Sequence, residues 1–183
     1  MATATALLTI DEYLALPHDG RRTELVRGRI VEVPPTGFEH GQICAEVIFL
    51  LKVLVKRVGA GKVIGNDSGI MTRRDPDTLR GPDVSYYGPA KAQTIGVPKG
   101  CPDVKPDLII EVRSPSDRWP EIVAKATEYL AAGVPIVILL DPATRSAHVY
   151  EADRAPRILG PDETLTLPDL LGDFAVVVRQ IFE

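Results

Sequence analysis

The stretch PDLIIEVRSPSDRWPEIVAKATEYLAAGVPIVILLD, Pro106 to Asp141, decides the fold. It opens as a short apolar run and turns at Ser114-Pro115-Ser116-Asp117. A helical stretch, EIVAKATEYLAA, follows and is closed by Gly133 just past its end. The stretch finishes on the wholly apolar PIVILLD. Strand, helix and strand in this order make a βαβ unit, whose two strands run parallel. The first strand is unusual in carrying acids. Alternate side chains share a face, so Asp107, Ile109, Glu111 and Arg113 point one way, and Leu108, Ile110 and Val112 point the other. One face reads as oily and the other as charged. Carboxylates are seldom buried alone, so Glu111 calls for a cation, a metal or a hydrogen-bond network.

Working outward from this unit, SAHVYE pairs on through the turn DPATR, and the tail FAVVVRQIF alternates as an edge strand or a dimer contact would. Upstream, Thr9 stands three residues before Glu12, the pattern of a capping box, and predicts a short helix that stops before Pro17. A turn at PHDG precedes TELV and RIVEV, two alternating segments around Arg27-Gly28 that read as a hairpin. From Glu39 to Val58 the apolar positions Ile43, Val47, Leu50, Leu51, Leu54 and Val58 recur at spacings of three and four, and Gly59 ends the pattern. This is the long core helix. GKVIGND, SGIMTRR and PDVSYY read as three strands of a largely antiparallel meander, the last two joined by the polar loop DPDTLRG. A long loop then runs from Gly88 to Lys105. The expected fold class is α/β, one domain over residues 1–183, with a mixed central β-sheet flanked by helices and an N-terminal helix and hairpin.

With 183 residues, 45% of them hydrophobic, the chain is long enough to bury a sizeable core. The net charge of -4 offers no long-range attraction for nucleic acid, so any basic surface must be local. Arg73, Arg74 and Arg80 around the DPDTLRG loop are the candidates. Cys44 and Cys101 have no metal-ligand spacing and read as free thiols. The start, MATATALLTI, lacks a basic leader, and no apolar run is long enough to cross a bilayer, so a cytoplasmic protein is expected.

Pro82-Asp83 opens one strand, and Glu111 lies in another with Arg113 two residues on. Two carboxylates from neighbouring strands, flanked by a cation, are what a hard divalent ion and a phosphodiester require. Nothing in that chemistry needs His or Cys. The chain resembles the Uma-two endonucleases, within the restriction-endonuclease-like PD-(D/E)xK superfamily. The resemblance rests on TIDEYLALPHDGRRTELVRGRIVEVPP, HGQI, RGPDVSYY, KPDLIIEVRSPSD and KATEYLAAGVPIVILLDP, in that order. It implies a Mg²⁺-dependent endonuclease acting on DNA, with Mn²⁺ as substitute. Asp83 would be the acid of the PD element and Glu111 that of the (D/E)xK element, both holding the metal. Arg113 occupies the lysine position, and arginine cannot be deprotonated to act as a base. Similar sequences carry a lysine on the following helix, which here is Lys125. Glu24 resembles an acid that some members add, either as a third ligand or as the partner of Arg113. Cutting two strands calls for two copies, so a homodimer is expected.

Each residue also has a structural reading. Asp83 can bond turn amides, Glu111 can pair with Arg113 or Arg73, and Lys125 can form a solvated pair with Glu121. Asp107 caps the end of its strand, and His40 begins the long helix. Were the structural readings all to hold, the protein would be an inactive nuclease-fold binding or scaffold module.

Overall fold

A computed structural model describes residues 6–17, 19–96 and 100–183. The chain begins with helix α1 (Ile10–Leu14), whose N-cap Thr9 and third-residue Glu12 satisfy each other's orphan amides in the expected capping box. The turn at PHDG includes His18, outside the described residues. Strands β1 (Thr23–Val26) and β2 (Arg29–Glu32) then pair antiparallel, with Val26 opposite Arg29. That register leaves only Arg27 and Gly28 in the turn, both at positive φ (51° and 73°), the conformation whose twist suits a two-residue hairpin. Leu7 packs so close to Gly28 that a β-carbon there would lie 2.6 Å from the Leu7 Cβ, so the position demands glycine.

Helix α2 (Phe38–Val58) is the long core helix, and Gly59 caps it in the left-handed conformation. Strands β3 (Lys62–Gly65), β4 (Ile70–Arg73), β5 (Thr78–Arg80) and β6 (Val84–Tyr87) follow, then helix α3 (Pro89–Ile95). The anticipated βαβ unit is strand β7 (Leu108–Val112), helix α4 (Trp119–Ala131) and strand β8 (Ile136–Asp141), and β7 and β8 are parallel. Strands β9 (Ser146–Glu151), β10 (Arg157–Leu159) and β11 (Thr164–Thr166), helix α5 (Pro168–Leu171), strand β12 (Ala175–Val177) and a 3-10 turn over Val178–Phe182 complete the chain.

The central sheet has the order β10-β9-β8-β7-β6-β3 and is mixed, as expected. Its two faces are both covered. On one, α2 and the C-terminal segment bury Ile43, Val47, Leu51, Leu108, Ile110 and Val112; on the other, α4 buries Ile109, Ala126, Tyr129 and Leu139. The alternation in β7 therefore holds, but its second face is interior: Ile109 is fully buried there beside Glu111.

Three sequence expectations need correction. The three strands do not form one meander, because the DPDTLRG loop contains β5, which pairs with β4 and β1 in a separate sheet of order β2-β1-β5-β4. A three-residue strand flanked by turn residues carries too little periodicity to register. The long loop from Gly88 holds α3, begun by Pro89 just after its N-cap Gly88. The tail is no single edge strand: β12 pairs with β11 in a two-stranded sheet, and the chain then tightens into the 3-10 turn, burying Val178 and Ile181 in the α2-side core.

Candidate active site

The sheet's register brings the acids together. Val84 on β6 lies opposite Ile110 on β7, so Asp83, the residue before β6, stands at the end of the ladder, near enough to Glu111 to act on its charge. Asp83 accepts a hydrogen bond from the Val112 amide through Oδ2 (2.8 Å), which fixes its carboxylate at the end of the ladder. His40, near the start of α2, places Nε2 3.2 Å from the same oxygen. His40 Nδ1 in turn lies 3.5 Å from Cys44 Sγ, one turn along.

Glu111 meets α4. Lys125 Nζ stands 2.9 Å from its Oε1, and the Tyr129 hydroxyl donates to that oxygen at 2.8 Å. Lys125 and Tyr129, four residues apart, share the helix face that turns toward β7. Lys125 Nζ also lies 3.4 Å from Glu24 Oε1, which accepts from the Gly81 amide at 3.0 Å. Arg80 then bridges outward: its NH1 donates to Glu24 Oε2 (2.9 Å), while Nε and NH2 grip both oxygens of Glu128 on α4 (2.9 and 2.8 Å). A forked guanidinium suits this two-point grip. A cavity of about 400 Å³ adjoins the network, its wall including Glu24 and Arg80 together with Tyr13, Leu14, Arg22 and Asp67.

Burial pushes the Glu111 carboxyl up to about 7, and Asp83 adds to the push against the pull of Lys125 and Tyr129. Burial alone would lower Lys125, yet Glu111 and Glu24 outweigh it and raise the ammonium further, so Lys125 is charged at neutral pH. The His40 ring is also raised: Asp83 overcomes the opposing effect of burial. The Cys44 thiol is pushed up to about 12, chiefly by burial.

Four of the expected residues thus converge: Asp83, Glu111, Lys125 and Glu24. Arg113 does not join them. It pairs with Asp141 through NH1 at 2.7 Å and lies over the Trp119 ring, 5.3 Å from its centre. Glu24 is accordingly not its partner; Arg80 and Lys125 fill that place. Lys125 pairs with two acids from other elements instead of Glu121. Asp107 accepts from the Gly88 amide at 2.7 Å and pairs with Lys91, a capping role as expected. Of the three candidate arginines, Arg80 is enclosed by Glu24 and Glu128, whereas Arg74, which pairs with Asp77 at 2.9 Å, and Arg73 are exposed. Sequence reading missed the Arg80–Glu128 pair, the Tyr129 hydroxyl and the contact of His40 with Asp83. Among these, only the i,i+4 spacing of Lys125 and Tyr129 left a signal.

The donor chemistry suits a divalent ion. The contacts of Glu111 fall on Oε1 and those of Asp83 on Oδ2, so among the described residues each keeps one carboxylate oxygen without a protein partner. Among the described residues, four carboxylates, Glu24, Asp83, Glu111 and Glu128, stand about two lysine or arginine side chains, Lys125 and Arg80, with the His40 ring against Asp83. A hard dication prefers carboxylate oxygens and suits such a donor set.

A mixed central sheet flanked by helices makes this an α/β protein. The chain belongs to the Uma2 family, described as "Putative restriction endonuclease", which matches residues 10–179. Its fold is similar to a crystal structure from Anabaena variabilis, described as "a putative nuclease belonging to DUF820". That similarity has a TM-score of 0.80 at 20% sequence identity, covering 96% of this chain and 97% of the other. No curated protein matches the chain. No helix among the described residues is long and apolar enough to cross a membrane.

Proposed function

We propose that the protein is a metal-dependent endonuclease that hydrolyses the phosphodiester bonds of DNA. One observation carries the reading: Asp83, just before β6, and Glu111, on the neighbouring β7, each have one oxygen tied to the protein and the other without a partner among the described residues, and Glu111 lies beside the ammonium of Lys125. Asp83 and Glu111 are the residues that would hold Mg²⁺, or Mn²⁺ in its place. When bound, such an ion polarises a phosphate and lowers the pKa of a bound water.

The chain's own groups supply the rest. Lys125, held charged by Glu111 and Glu24, donates to a phosphate oxygen or orients the attacking water, and its charge offsets the negative charge that grows in the transition state. A raised pKa makes it a donor rather than a proton acceptor. Glu24 fixes the ammonium, Arg80 fixes Glu24, and the Val112 amide and His40 fix Asp83. Arg113 supports the site at one remove by tying the end of β7 to β8 through Asp141. The adjoining cavity opens on the Glu24 and Arg80 side of the network. A homodimer would present one such site to each strand of a duplex, and DNA in the cytoplasm is the proposed setting.

A second reading, a nuclease-fold scaffold or binding module, is favoured by Arg113, which stands at the motif's lysine position and is engaged elsewhere. A cleavage panel on plasmid, single-stranded DNA and RNA in Mg²⁺ and Mn²⁺ decides between them. The expected outcome is DNA cleavage that Asp83→Asn, Glu111→Gln and Lys125→Ala each reduce by about 100-fold or more. Isothermal titration should show Mn²⁺ binding that the first two substitutions remove. Equal cutting by all four proteins would mark the activity as contamination, and absence of cation binding would leave the scaffold reading. Light scattering checks the dimer.

A further inference from the structure

The described residues hold a second group of ligand-type side chains, of different chemistry from the carboxylate pair. His40 and Cys44 are four residues apart on α2 and so lie on one face of the helix, and Asp83 meets them from the start of β6. Taking one ligand atom from each, an imidazole nitrogen, the sulfur and a carboxylate oxygen lie within 4.8 Å of one another. Tetrahedral bonds of about 2.0–2.3 Å set ligand atoms about 3.5 Å apart, so movements of about 1 Å at the side-chain tips close the set. His40 is buried, and Cys44 and Asp83 are half-buried, which limits competition from bulk water.

The two donor sets select different ions. Carboxylate oxygens suit Mg²⁺, whereas imidazole and thiolate suit Zn²⁺ or Co²⁺. Asp83 belongs to both.

We propose that His40, Cys44 and Asp83 form a site for a thiophilic divalent cation of the Zn²⁺ class, and that filling it withdraws Asp83 from the hydrolytic site. The second clause rests on the endonuclease reading; the first does not. Binding forms a sulfur–metal bond as the Cys44 thiol proton passes to solvent, and the fourth coordination position is left for water.

The test uses the full chain and two readouts. Titration with Co²⁺ should give a thiolate-to-metal charge-transfer absorption at one ion per chain. Cys44→Ser should abolish the band and weaken Co²⁺ binding at least about tenfold, while Cys101→Ser leaves both unchanged. Cys44→Ala serves as the second variant should the serine form melt early. No band in folded wild type, or a band that survives Cys44→Ser, overturns the site. In the second readout, stoichiometric Zn²⁺ should suppress Mg²⁺-supported plasmid cleavage by the wild type, with Cys44→Ser at least about tenfold more resistant. Equal sensitivity of the two would refute the withdrawal of Asp83. Should no form cleave DNA, the endonuclease reading fails, and the absorption band still decides the cation site.

Discussion

Glu24 shows how strongly a single residue depends on its surroundings. Burial would raise its carboxyl, but Lys125, Arg80 and the Gly81 amide together hold it below the ordinary 4.5. A carboxyl with a depressed folded-state pKa binds protons less readily in the folded chain than in the unfolded one. Its stabilising contribution is therefore complete above the unfolded value and is lost as pH falls through the folded one. The melting temperature should drop as pH falls below about 4.5, and Glu24→Gln should flatten that acid limb while lowering stability at neutral pH. Thermal scans of both chains across this range check it; superimposable acid limbs would show that Glu24 does not titrate in this window.

At the scale of elements, α4 does two jobs with adjacent residues. Ile122, Ala126 and Tyr129 press it onto the sheet, while Lys125, between them, reaches Glu111 and Glu24. Ala126 is fully buried, and its small size lets the helix lie close enough for a lysine to cross to β7. Ala126→Leu should cost about 1–3 kcal/mol by overpacking. It should also move Lys125 away from Glu111, so activity should fall more than stability alone explains. Urea unfolding read beside cleavage at saturating Mn²⁺ measures both, and proportionate losses would argue against the positioning role.

At the scale of the molecule, Arg80 joins parts that are distant in the chain. It lies on β5 of the small sheet and holds Glu128 of α4, which packs on the large one. Glu24, on the neighbouring β1, is the other carboxylate it pairs with. Its side chain is only 16% exposed, so Arg80→Met takes the guanidinium from two partly buried carboxylates and leaves Glu128 with the Thr72 hydroxyl and Glu24 with Lys125 and the Gly81 amide. A loss of about 3 kcal/mol is expected in urea unfolding. A variant as stable as wild type would mean that the small sheet docks without help from the Arg80 pairs.

The order of the elements was legible from the chain by itself. Periodicities of two and three to four separate strand from helix, and a fully apolar strand after a helix implies a parallel pair; β7, α4 and β8 bear this out. Motif resemblance supplied the acids and the lysine as candidates. Pairing across long sequence distance was not legible. Nothing local distinguishes Arg80 in a polar loop from a solvated arginine, and only the docking of two sheets turns it toward Glu24 and Glu128. Arg113 and Glu111 alternate onto one face in sequence, yet the neighbouring strand offers Asp141 to one, and the helix above offers Lys125 to the other. Alternation along a strand sets the face a side chain takes, whereas its partner is set by whichever element covers that face, and that is decided only when the chain packs.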